Sequence, residues 1–263
     1  MGAQILGVLF DGFAYGMLLF LLSVGLSVTL GLMNFINLAH GAFAMIGGYV
    51  TVTLMNYQGW PFLASLPIAF LAAALVSVVL ERTLFRRLYK SAPLQQVLFT
   101  IGLVFVFSAI AAYLFTTEIQ PVRVPEYLRG SFEAMGYNFG VYRIFLIVVA
   151  LLITAFLVIG LEYTRFGAMV RAAVDNQRMA SGLGINVETV FAVTFALGSG
   201  LAGLGGALSI EIVGLDPSFA FHYLVYMLIV VAVGGLGSIR GSFVAATLLG
   251  IGDVAGKYYV PEL

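Results

Sequence analysis

Residues 162–186, EYTRFGAMVRAAVDNQRMASGLGIN, interrupt two apolar runs of membrane-spanning length. Phe166, Val170, Val174, Ala180 and Leu183 recur at spacings that gather on one helical face, and Arg171, Asp175 and Arg178 fall on an opposing strip. Gly167, Ala168, Ala172, Ala173, Ser181, Gly182 and Gly184 keep the segment slim. The pattern predicts a short amphipathic helix between two membrane spans. Such a helix either presents a docking surface to a partner or rests on lipid headgroups.

Outward from this segment the chain is oily. It has 263 residues, 62% hydrophobic and 9% charged, where a soluble domain carries roughly 25% charged residues. A span needs about 20 mostly apolar residues. The expected architecture is therefore all-α and polytopic, one transmembrane domain over 1–263 with about eight spans. Apolar runs cover 5–30, 43–56, 62–80, 94–115, 142–161, 187–210, 223–233 and 244–258. Broken helices are expected near 31–43, GLMNFINLAHGAF, and 234–243, GGLGSIRGSF. Segments 82–90 and 116–141 are expected to be loops. His40-Gly-Ala-Phe and Arg240-Gly-Ser-Phe echo each other, as a trace of duplication or as chance in glycine-rich sequence. The N-terminus lacks a basic region and a small-residue cleavage site, so its apolar run reads as a span.

Lys and Arg set the orientation. Arg82, Arg86, Arg87 and Lys90 in one loop, Arg165, Arg171 and Arg178 in another, and Arg240 are expected inside. Loops 57–61, 116–141 and 211–222, and the N-terminus, are expected outside.

Enzyme motifs fail. There are two histidines, no cysteine, no H-E-x-x-H and no G-x-S-x-G. Gly250–Lys257 imitates a phosphate loop, but its glycines are wrongly spaced and Tyr258 stands where Ser or Thr should hold magnesium. No metal or other cofactor is expected, and net charge zero gives no hint of nucleic acid. If ATP drives this protein, a separate ATPase must hydrolyse it. Asn34, Asn37 and His40 form the sharpest polar cluster. They either line a path or gate, or cap a broken helix and bond its freed backbone. Gly198, Ala202, Gly203 and Gly206 form a small-xxx-small ladder for close helix packing. Asp11 reads as water-facing or vestibule-lining, Glu211 and Asp216 as outer-turn residues, and His222 as interfacial.

Four segments, GLMNFINLAHGAFAMIGGY (31–49), RAAVDNQRMASGLGIN (171–186), TFALGSGLAGLGGAL (194–208) and VVAVGGLGSIRGS (230–242), closely resemble permease subunits of bacterial ABC importers for branched-chain amino acids. The resemblance implies that 165–184 seats in a groove of an ATPase, with Arg165, Gly167, Arg171, Ala172, Asn176, Ala180 and Gly184 carrying that pattern. It implies a second related permease, two cytoplasmic ATPase subunits, an extracytoplasmic binding protein, a lipid-embedded location in the inner membrane, and alternating access. Related permeases handle urea, amides or aromatic acids. An ion-coupled transporter or channel would want an ionisable relay at mid-depth, and none stands out; broken polar helices argue against a mere scaffold. The family continues with a further apolar span and an Arg-Pro-x-Gly-Leu tail, so a shorter protein or a further helix is expected beyond Pro261-Glu262-Leu263.

Overall fold

The computed structural model describes residues 2–33, 35–89, 91–122, 124–134 and 136–260. Asn34 and the 261–263 terminus lie outside the described residues. Helix α1 (Gly2–Met33) is followed by α2 (His40–Val52), which continues through a π turn, Thr53–Tyr57. Helix α3 (Phe62–Leu80) also passes through a π turn, Glu81–Phe85, into α4 (Arg86–Leu88). Then come α5 (Pro93–Phe115), a hairpin of β1 (Ser131–Ala134) and β2 (Tyr137–Gly140), and α6 (Val141–Glu162). Two short helices, α7 (Arg165–Asp175) and α8 (Gln177–Gly182), precede α9 (Val187–Val213), α10 (Phe219–Gly234) and α11 (Ile239–Tyr259).

Six helices among the described residues are long and apolar enough to cross a membrane. The other two apolar runs of the expected eight are the shorter α2 and α10. Each is shortened by a non-helical stretch before it, 35–39 and 214–218. The second expected break is narrower than 234–243. It is a turn of 235–238, in which Gly235 and Gly237 have positive φ and the Ser238 hydroxyl accepts the Gly241 amide at 3.0 Å to cap α11. The two echoing tetrapeptides both stand at helix starts, but His40 is sealed in the core and Arg240 is exposed and paired with Glu162 at 2.7 Å. Segment 82–88 is helix rather than loop, because its apolar residues continue onto the core: Phe85 is fully buried and packs on Phe35 and Phe195.

Helix α9 is the axis of the bundle. Gly25 of α1 and Gly198 touch backbone to backbone, and a Cβ at either would enter the other's carbonyl. Gly47 of α2 presses on the Gly203 carbonyl, Gly206 on that of Ala44, and Gly203 also meets Ala69 and Ala73 of α3. Ala202 is fully buried in the same ladder. The ladder therefore joins helices within this chain. On the far side of α1, Gly12 and Gly16 admit α11 just as closely, and the Ser27 and Ser242 hydroxyls bond at 2.9 Å. Tyr142 of α6 donates to the Leu208 carbonyl of α9 at 2.7 Å.

Arg82, Arg86, Arg87, Arg165, Arg171, Arg178 and Arg240 lie at the α7–α8 end of the bundle. The hairpin and the start of α6 mark the other end.

Overpacking a filled helix contact costs about 1–3 kcal/mol. Gly206→Ala is expected to lower thermal stability in detergent by that amount, whereas Gly102→Ala, with open space around its Cβ and Ala the better helix former, is expected to hold or raise the melting temperature.

Candidate functional site

Two features bear on transport: the extended stretch before α2 and the paired helices at the basic end. Residues 35–39 run beside α5. The Ile36 amide donates to Gln96 Oε1 at 3.1 Å and the Leu38 amide to Thr100 Oγ1 at 3.2 Å. Backbone freed by the break is thus satisfied by side chains of another helix, as an apolar environment requires. The Gln96 amide nitrogen in turn holds the Leu88 and Ser91 carbonyls, at 3.2 and 3.3 Å. Neither Gln96 nor Thr100 stands out in the sequence. The only signal is two polar residues four positions apart near the start of an apolar run.

Asn37 and His40 are both 0% exposed. Asn37 Oδ1 accepts the Ala39 amide at 3.1 Å, a local turn just before α2. His40 Nε2 lies 3.1 Å from the Leu22 carbonyl. A carbonyl only accepts, so this nitrogen carries the proton. Leu22 sits eleven residues before the end of α1, about 16 Å along its axis. Helix α2 therefore starts deep in the bundle rather than at its edge. Its Gly41 rests on the Ala220 carbonyl in the first turn of α10, so the two shortened helices begin against each other. Asn37 Nδ2 and His40 Nδ1 have no partner among the described residues.

At the basic end the expected single amphipathic helix is two. Asn176 leaves helical geometry (φ −151°, ψ 96°), closes α7 and caps α8 by accepting the Met179 amide at 3.0 Å. Thr164 caps α7 through the Gly167 amide at 3.2 Å. Gly184, at φ +87°, ends α8: its amide bonds Ser181 and that of Ile185 bonds Ala180, the paired bonds of a Schellman motif. Gly167 lies against the Leu161 backbone, and the Arg171 guanidinium donates to the Leu161 carbonyl. Arg171 thus closes the end of α6 from the polar strip. Arg165 is exposed, Ala172 half-buried and Ala180 buried.

The apolar face also differs from the expected one. Val170, Ala173 and Ala180 are buried, while Val174, at the end of α7, and Leu183 are exposed; the joint at Asn176 turns α8, and Leu183 with it, away from the helical phase of α7. Val170 and Ala173 pack on Val190 and Phe191 of α9. Phe191 meets Tyr89 edge-on at 6.3 Å, and Tyr89 meets Phe35 at 5.3 Å. Burial, then the neighbouring Glu81 carboxylate, push the Tyr89 hydroxyl above its usual range, so it stays protonated and donates to Glu81 at 2.8 Å. A continuous packed path runs from α7 to the residue that opens the extended stretch.

The six apolar spans define a multi-pass membrane protein. The family described as the branched-chain amino acid transport system permease component matches residues 8–263, and the chain belongs to that family. It is 27% identical to the high-affinity branched-chain amino acid transport system permease protein LivH of Escherichia coli K12, over 96% of this chain and 86% of that one. It is 28% identical to the probable branched-chain amino acid transport permease protein LivH of Methanocaldococcus jannaschii, over 94% and 79%. It is also 27% identical to the E. coli permease protein LivM, over 89% of this chain and 60% of that one. No solved structure matches.

Removing the Gln96 acceptor leaves a buried amide unpaired, at a cost of about 1–3 kcal/mol. Gln96→Leu is expected to lower thermal stability by that amount and to reduce uptake in vesicles.

Proposed function

We propose that this chain is one of two related permease subunits of an ATP-driven importer that carries branched-chain or related hydrophobic amino acids inward by alternating access. Family membership over nearly the whole chain supports the solute class, and similarity to both LivH and LivM supports a pair of permeases. The observation that carries the mechanism is the α7–α8 pair. Its inner face is pinned to α6 and α9, and its outer face presents Met169, Val174, Met179 (66% exposed) and Leu183 (80% exposed). An apolar patch on a rigidly held cytoplasmic element fits a groove of an ATPase. Lipid headgroups would instead favour a basic polar face fringing a larger apolar one. An extracytoplasmic binding protein delivers solute to the opposite end.

In this reading, ATP-driven closure of two ATPases pushes on α7. The push passes through Phe191 and Tyr89 to Phe35 and the extended stretch, which gates the sealed polar core at Asn37 and His40. Such coupling needs an element with two arrangements, and 35–39, held by side chains rather than by a helix ladder, is that element.

Met179→Asp combined with Leu183→Asp is expected to leave the subunit folded, because both side chains are exposed, but to lower ATPase copurification by at least tenfold and abolish uptake. Full ATPase retention with full uptake would remove this patch from the interface. Orientation is checked separately. A cysteine at Ser131, exposed on the hairpin, is expected to react with a membrane-impermeant thiol reagent in intact cells, and one at Ser181, exposed on α8, is not.

A further inference from the structure

At the end of the bundle opposite α7–α8, α1, α6, α9, α10 and α11 surround a cavity of about 240 Å³. Two ion pairs stand in its wall. Arg143 of α6 pairs with Asp11 of α1, and Lys257 pairs with Asp253 at 2.6 Å on α11. Charges of both signs thus converge from three helices far apart in sequence. Tyr15, Tyr223 and Tyr226 add rings with polar tips, and Ile212 and Val254 supply apolar surface. Along α6, Arg143 is about 28 Å from the Glu162 end, so the cavity is the far mouth of the bundle.

Balanced charge in one small cavity suits a solute that carries both signs and is itself neutral. A lone anion or cation would meet as much repulsion as attraction there. We propose that this cavity is a receiving site for the zwitterionic head of an amino acid, with Arg143 taking the α-carboxylate and Asp253 the α-ammonium. This rests on the amino-acid importer reading above. Arg143 suits its role because a planar guanidinium keeps Asp11 on one edge and offers the other to a second carboxylate. Asp253 suits its role because its present partner is easily displaced: the Lys257 side chain is 69% exposed while that of Asp253 is 15% exposed. The incoming ammonium replaces that of Lys257, which swings into water. Ile212 and Val254 then meet the solute's side chain. Because the head group is shared by all α-amino acids, this site selects for zwitterions and leaves side-chain choice elsewhere.

The test is equilibrium binding of radiolabelled leucine to the complete transporter in lipid nanodiscs, without binding protein, alongside uptake by the same preparation in vesicles with it. Leucinamide lacks the carboxylate and 4-methylpentanoate lacks the ammonium; each is expected to compete at least tenfold more weakly than leucine. Asp253→Asn is expected to weaken leucine at least tenfold and leave 4-methylpentanoate unaffected, and Arg143→Gln to weaken leucine and spare leucinamide. Lys257→Gln, on an exposed side chain, is expected to tighten leucine binding several-fold by freeing Asp253, which keeps the test intact if Arg143→Gln fails to assemble. Uptake without saturable nanodisc binding, or unchanged or weaker binding in Lys257→Gln, overturns the receiving site and leaves the importer reading standing. Saturable, charge-selective leucine binding without uptake of any branched-chain amino acid overturns the importer reading and leaves the zwitterion site standing.

Discussion

Contact between glycine backbones is what the rest of this bundle depends on. Lipid gives helices no hydrophobic reason to associate, so they must gain from close packing and weak polar contacts. Here α9 approaches α1 at Gly25 and Gly198, and α2 at Gly47, Gly203 and Gly206, without an intervening side chain. Three helices gather around one slim rod. Only then is there a core deep enough to hide a broken chain, with its amides and its histidine, from lipid. The same economy recurs where α11 lies on Gly12 and Gly16, bringing Asp253 and Asp11 to a common mouth.

Much of this was legible in the sequence. The apolar runs, the ladder in α9, the polar interruption at 162–186 and the break before His40 all show as composition or period. The family resemblance rested on the same segments. What was not legible has physical reasons. Whether an apolar run becomes a full span depends on where its helix starts: before α2, side chains of α5 accept the backbone of 35–39, and before α10, Asp216 accepts the Ser218 amide and the Leu215 carbonyl takes that of Gln120. The helical period carried Leu183 onto the buried face; a single non-helical residue, Asn176, resets the phase and puts it outside. Segment 82–88 reads as charged loop until Phe85 finds a socket.

The far mouth was the hardest to see. Asp11 was visible as one acid near an end, and His222 as one interfacial ring. Nothing in the local pattern joins residue 11 to residue 143 or to residue 253, because the three belong to different helices whose contact is set by the glycines between them. Arg171 shows the converse: its place on a polar strip was readable, but not that it turns back to the end of α6.

The bond between the extended stretch and α5 has a metrical side. Two residues of extended chain advance about 6.6 Å, and four residues of helix about 6.0 Å. Ile36 and Leu38 therefore find Gln96 and Thr100 at matching intervals, as two scales of a vernier coincide. One turn away on either side stand Ala92, just before the helix, and Val104, whose side chains accept nothing. The stretch and α5 have one register in which both amides are satisfied and no neighbouring register to slip into. Motion between them is consequently all-or-none: they travel as one body, or both bonds break together.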